Sequence, residues 1–188
     1  MKIIELTAQN FSEYGREIAE LHLNSYSKQH LTANFSVEKL EEYYRYLVEA
    51  SELSIVSLDY SGNSNKPVLG FIVAGRTISR GVVQFLDSHR LYVLSVMLKN
   101  PVFIFEKIFS KLTAKFQKGN PSDAKFRLLS IAVKSDIQSH GIGHQMVEFF
   151  ENTLIYRGIS CYGLSVKSEN IRAIKFYEKY GFVLEKEI

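Results

Sequence analysis

Apolar and polar positions change period several times along the chain, and each change marks an element. Residues 2–7 form a short apolar run that predicts a first strand. Over 11–26 the spacing lengthens to that of a helix, with Ile18, Leu21 and Tyr26 able to share one face. A second helix is predicted over 36–50 with Ser36 as its N-cap, because a serine hydroxyl can accept from the unpaired N–H groups of a first turn. A polar loop containing His30 and Asn34 separates the two helices. Residues 53–59 and 68–74 read as strands, and the Gly-, Asn- and Pro-bearing stretch 60–67 makes them a hairpin.

The segment 81–125 interrupts this alternation. Residues 86–98 and 102–116 each carry helical apolar spacing, punctuated by Asn100 and Pro101; proline restricts the residue before it and suits a first helical turn. Over 82–118, Arg90, Lys99, Lys107, Lys111, Lys115 and Lys118 stand against Asp87 and Glu106, so six minus two leaves +4. The expected role is a helical insertion on the sheet with a solvated lysine face, ahead of a membrane-surface or partner-binding one. After the loop signal at 119–123 come a strand over Phe126–Val133, a glycine turn and a helix over 144–157 closed by Gly158. A strand over 161–166, a helix over 169–180 closed by Gly181, and a final strand over 182–187 complete the order. The class is therefore α/β or α+β with a mixed sheet.

With 188 residues, 46% hydrophobic and 23% charged, the chain is expected to form one globular domain over 1–188. A net charge of +3 with 13 Phe and 11 Tyr suggests neither disorder nor a dedicated nucleic-acid binder. The lone Cys161 excludes an intrachain disulfide framework and a multi-cysteine metal site. Its expected role is that of a small buried hydrophobe in a strand, and a reducing cytoplasm fits best. Glu5, Gln9 and Asn10 interrupt the N-terminus too early for a secretory signal. No run of about 18 uncharged apolar residues is present, so no membrane span is expected. Strings for zinc hydrolysis, the hydrolase elbow and the P-loop are absent, and no metal dependence is expected.

The chemistry concentrates in Gln138-Ser139-His140-Gly141-Ile142-Gly143, between a strand and a helix start. Such a corner aims several backbone N–H groups at an anion, and glycines let the backbone come close to a phosphate. About 30 residues later stand Asn170, Ala173, Phe176, Tyr177, Gly181 and Phe182 in the spacing Asn-x-x-Ala-x-x-Phe-Tyr-x-x-x-Gly-Phe. Together the two motifs resemble the GCN5-related N-acetyltransferase (GNAT) superfamily, the match running over 126–182.

That resemblance implies a mixed, mostly antiparallel, splayed sheet flanked by helices, and acetyl-CoA as co-substrate. The main-chain N–H groups of Gln138, Ser139, His140, Gly141, Ile142, Gly143 and His144 are implied to hold its pyrophosphate. The backbone of Ile131, Ala132 and Val133 is implied to pair with the pantetheine arm. Asn170 is placed near the opening of the splay, with the alternative reading of a helix N-cap, and Phe176 belongs to the same motif. Tyr177 is the implied acid that protonates the departing CoA thiolate, with core packing as its competitor. The family fixes no single position for the base; His22, His30, Asp87, His89 and Ser130 are candidates, each histidine having a packed or solvated imidazole as the plainer reading. The same holds for His140 and His144 as bystanders of the phosphate turn. The expected acceptor is the primary amine of a small molecule such as an amino sugar, with a protein N-terminus or lysine as alternative. A non-catalytic CoA-binding module that docks a partner is the reading from another class, and a homodimer is an open option. Members of the family usually continue through a final strand that shapes the acceptor pocket, whereas this chain stops at Ile188, six residues after Phe182.

Overall fold

Five strands in the order β1-β2-β3-β4-β5 make one sheet: β1 Lys2–Glu5, β2 Leu53–Leu58, β3 Val68–Gly75, β4 Phe126–Val133 and β5 Tyr162–Leu164. The computed structural model describes residues 1–60, 67–99, 124–137 and 141–185. Neighbours from β1 to β4 are antiparallel, and β4 and β5 are parallel. The mixed, mostly antiparallel sheet expected from the sequence is thus observed.

β2 is buried at every position and β3 at all but one, which requires cover on both faces. Alternation along the strands divides their side chains. Val56, Leu58, Phe71 and Val73 join Ile18, Leu40, Tyr44 and Phe85 in one cluster, under α1 (Phe11–Ser25) and α2 (Val37–Ala50). Leu53, Ile55, Ile72 and Ala74 join Met146, Val147, Phe150 and Leu154 in the other, under α5 (Ile142–Tyr156). Ser36 caps α2 as expected, its Oγ accepting from the Lys39 N–H at 3.3 Å. Gly158 and Gly181 follow α5 and α6 (Ile171–Lys179) with φ of 70° and 81°, the left-handed conformation in which glycine ends a helix at no steric cost.

The segment after β3 differs from its expectation. In place of one helix over 86–98 stand α3 (Ile78–Ser88) and α4 (Arg90–Lys99). Ile78, Gly81 and Phe85 form the buried face of α3. A Cβ at Gly81 would collide with the Tyr46 carbonyl of α2, so glycine permits the close approach of the two helices. The chain breaks at His89, whose ring stacks on Phe85 at 4.5 Å and whose Nε2 lies 2.9 Å from Glu42 of α2. Anchoring His89 across to α2 ends α3 one turn into the predicted helix. The second predicted helix, over 102–116, and the Asn100-Pro101 break lie outside the described residues.

Two further expectations are corrected. Cys161 is exposed, because β5 is only three residues long and begins after it. Residues 182–185 form no strand; Phe182 anchors them instead by packing its ring on Tyr162 at 5.2 Å and on Tyr177 at 5.3 Å. Arg157, at the end of α5, donates to both Glu5 carboxylate oxygens (2.9 and 2.7 Å) and to the Glu52 carbonyl (2.5 Å), tying that helix to the β1–β2 edge.

Candidate active site

The site originates in one extra residue. Val73 and Ala74 of β3 pair with Ser130 and Leu128 of β4, so Leu129 has no partner on β3 and forms a bulge. Because side chains alternate, the bulge exchanges faces. Before it, Phe126 and Leu128 point to α5; after it, Ile131 and Val133 do so, and Ser130 and Ala132 turn to the α1–α2 side. The ladder with β5 ends at the same place, its last pair being Leu128↔Leu164, while β4 continues to Val133. The strands therefore part over the second half of β4.

The polar groups of that half also alternate. The Lys134 N–H donates to the Leu69 carbonyl at 2.9 Å, so Lys134 and Ala132 turn their main-chain groups toward β3. Those of Ile131 and Val133 point the other way, into the gap. The three residues expected to act together are thus divided by strand geometry.

Beyond β4, Gly141 begins α5 with φ 79° and ψ 1°. Among the described residues a Cβ built there would meet nothing nearer than Gln145 Nε2 at 4.0 Å, and Gly141 itself is exposed. Gly143 is under no such constraint: its Cβ would lie at ordinary contact distance, 3.8 Å from the Phe176 ring and from Val133 Cγ2, in a seam where α5, α6 and β4 meet. Ile142 is half-buried in that seam, and the His144 ring is hydrogen-bonded to the Tyr180 hydroxyl. The first N–H groups of α5 have no intrahelical acceptor by position and carry the positive end of the helix dipole. Gln138, Ser139 and His140 lie outside the described residues. We expect Gly141→Ala to cost about 1 kcal/mol, the price of a Cβ in the left-handed region, whereas Gly143→Ala adds a methyl at ordinary contact distance and changes stability little. Parallel urea titrations of the two variants measure the difference.

Across the gap, Asn170 caps α6, its Oδ1 accepting from the Ala173 N–H at 3.2 Å, so the capping reading is observed. Phe176 packs edge-on to Tyr177 at 5.4 Å and against Tyr180 at 4.9 Å. Tyr177 is half-buried. Burial pushes its phenol well above the ordinary value, and the nearby Tyr26 phenol adds to the shift.

Tyr26, at the end of α1, was read from the sequence only as a helix-face residue. In the structure it approaches within 2.8 Å of Ser130 Oγ and donates to the Ile131 carbonyl at 3.3 Å. Ser130 Oγ lies 3.0 Å from the Tyr44 hydroxyl, which lies 2.7 Å from His22 Nδ1; His22 Nε2 is 3.0 Å from Thr32 Oγ1. His22 is 3% exposed, and burial, with a smaller contribution from His30, pushes its pKa down to about 3. The imidazole is neutral.

Of the candidate bases, His22, Ser130 and His30 therefore converge on one place, His30 meeting the Tyr26 ring edge-on at 5.3 Å. Burial lowers the His30 pKa, and the Lys167 charge lowers it further. His89 and Asp87 are engaged elsewhere, with Glu42 and with Arg90 at 2.9 Å each. Tyr26 and Tyr44 carry no sequence motif. Their placement depends on the bulge, which no residue type announces.

Residues 103–184 match the family described as "Acetyltransferase (GNAT) domain", the superfamily that the two motifs resemble. The match takes in 103–125, the distal part of the predicted insertion. Over 55 residues the chain is 38% identical to the [Ribosomal protein bS18]-alanine N-acetyltransferase of Escherichia coli (strain K12), a stretch that is 29% of this chain and 37% of that protein. Aligned regions thus span well under half of the curated relative. Among solved structures, the aminoglycoside antibiotic 6'-N-acetyltransferase of Acinetobacter haemolyticus superposes with a TM-score of 0.55 at 14% identity, covering 100% of this chain and 94% of that one. An aminoglycoside N-acetyltransferase in complex with CoA gives 0.57 at 12% identity, covering 100% and 90%. At these identities the superpositions establish the shared fold. Among the described residues no helix is long and apolar enough to cross a membrane.

Proposed function

We propose that the chain is an acetyl-CoA-dependent N-acetyltransferase that moves an acetyl group to the primary amine of a small molecule such as an amino sugar. The parting of β4 from β5 at the Leu129 bulge, together with the left-handed Gly141 that starts α5, is the observation that carries this reading. A thioester arm fits beside the second half of β4, where the ladder with β5 has ended. A pyrophosphate fits the start of α5, where Gly141 takes a left-handed turn and the helix presents the positive end of its dipole. In this reading Asn170, which caps α6, borders the cofactor; Phe176, whose ring lies 3.8 Å from where a Gly143 Cβ would stand, supports the start of α5; and Tyr177, its phenol kept protonated by burial, is the acid. Bound acetyl-CoA supplies an activated carbonyl. The neutral amine attacks that carbonyl, a backbone N–H stabilises the oxygen that gains charge, Tyr177 hands its proton to the leaving sulfur, and the proton that the nitrogen sheds as the amide forms restores the phenol.

Two aminoglycoside acetyltransferases among the fold relatives favour a small, amine-rich acceptor. The stretch of identity with a ribosomal-protein alanine N-acetyltransferase favours a protein N-terminus as the second reading. Calorimetric titration with acetyl-CoA tests the premise, and no binding at millimolar ligand sinks it. Thiol release with amino sugars, an aminoglycoside, an alanine-initiated peptide and a lysine peptide then separates the acceptors. Binding without release for every amine is the outcome expected of a CoA-binding module that docks a partner.

A further inference from the structure

The acceptor amine reaches the site as an ammonium ion and must lose a proton before it attacks. No carboxylate faces the Tyr26 hydroxyl among the described residues. The titratable and charged groups around it are His22 from α1, His30 from the following loop, Tyr43 and Tyr44 from α2, Tyr177 from α6, and Lys167 beyond His30. What the fold does place there is an unbroken chain of hydrogen bonds. It runs from Tyr26, at the mouth of the gap beside the Ile131 carbonyl, through Ser130, Tyr44 and His22 to the half-buried Thr32.

We propose that Tyr26 takes the proton from the acceptor amine and that Ser130, Tyr44, His22 and Thr32 carry it to solvent. The inference rests on the acetyl-transfer reading and deepens it. In the starting arrangement the Tyr26 hydroxyl has turned its one proton from the Ile131 carbonyl to Ser130, Ser130 donates to Tyr44, Tyr44 to His22 Nδ1, and His22 Nε2–H to Thr32. As the ammonium N–H bond breaks, a new O–H bond forms at Tyr26. Each hydroxyl passes its own proton one step on, His22 gains Nδ1–H and gives up Nε2–H, and Thr32 releases a proton to water. The protein ends with the protons it began with, the imidazole having changed tautomer. Rotation of the hydroxyls in the reverse sense restores the start.

A relay of this kind needs groups that pass a proton and do not keep it. Burial meets that requirement: it disfavours the imidazolium at His22 and the phenolates at Tyr26 and Tyr44, so none of the three is a resting place for charge. The stacking of Tyr26 on His22, with centroids 4.0 Å apart and planes within 9°, holds the first and fourth members of the chain in register.

Tyr26→Phe keeps the stacked ring and removes the proton acceptor. Turnover is expected to fall about 10²-fold, the usual scale of general-base loss, with the KM for acetyl-CoA unchanged. The loss should shrink as pH approaches the amine's own pKa, where the substrate arrives neutral and needs no acceptor. Ser130→Ala interrupts the same chain, so the double variant should lose little more than either single one. A loss constant with pH, or additive losses, would overturn the relay. Ring-nitrogen NMR of His22 supplies a readout without substrate: both tautomers populated in the parent protein, their ratio changed by Tyr26→Phe. A single tautomer unaffected by that substitution also overturns the proposal. Failure of every amine to release thiol counts against acetyl transfer, and the tautomer experiment still decides the relay.

Discussion

Acidification is expected to destabilise this protein between neutral pH and about pH 5, before most carboxylates titrate, and His22 is the principal cause. The folded-state pKa of His22 is about 3, well below the unfolded histidine value of about 6.5. Above that upper value both states are neutral, and the group contributes no pH dependence. Below it the unfolded chain binds a proton that the folded one refuses, so stability falls as pH falls. The slope is about 1.4 kcal/mol per pH unit, and the total approaches about 5 kcal/mol if the pH reaches the folded value. A loss of that size is comparable to the whole stability of many domains. Burial lowers the His30 pKa in the same direction, so the test is a difference. Urea midpoints for the parent and for His22→Gln, taken from neutral pH to about pH 5, should give a variant that is weaker at neutral pH and distinctly flatter below it. Equal slopes in the two proteins would falsify the assignment to His22.

The same burial explains why the fold and the site differ in how well they can be read from the chain. Helix and strand positions followed from period and caps: Ser36 stands where a cap was expected, and β4 covers the expected residues. Both glycine-terminated helices end at Gly158 and Gly181. The glycine turn before α5 and the Asn170, Phe176 and Tyr177 motif were legible because local backbone geometry and short spacing leave a trace in residue type. The β4 bulge left none. Leu129 is one apolar residue in an apolar strand, yet it decides which face Ser130 occupies and where β5 departs. Tyr26 and Tyr44 lie 104 and 86 positions from Ser130 in sequence, too far for any spacing rule to connect them. His22 was visible only as an isolated histidine, because the neutrality of its ring comes from tertiary burial. Cys161 and the residues after Phe182 were misread for the complementary reason. Apolar composition there suggested strands, but the sheet offers β5 only three pairing positions.

Tyr177→Phe is expected to lower turnover about 10²-fold while leaving acetyl-CoA affinity unchanged. The ring packs edge-on to Phe176 and Phe182, contacts that phenylalanine preserves, so the variant should fold and bind as the parent does. What it loses is the proton. Burial holds that phenol protonated across the working pH range, which suits a group whose task is to donate to a developing thiolate. A thiolate leaves more easily when its conjugate thiol is more acidic, so the need for an acid depends on the leaving group. With an acetyl thioester of a more acidic thiol, the loss caused by Tyr177→Phe should therefore shrink, whereas the Tyr26→Phe loss should not, since that residue acts on the amine. Opposite responses of the two variants to leaving-group acidity and to amine pKa would assign the two tyrosines that flank the gap to the two proton transfers. An equal loss with every thioester would leave Tyr177 only its packing role beside Phe176 and Phe182.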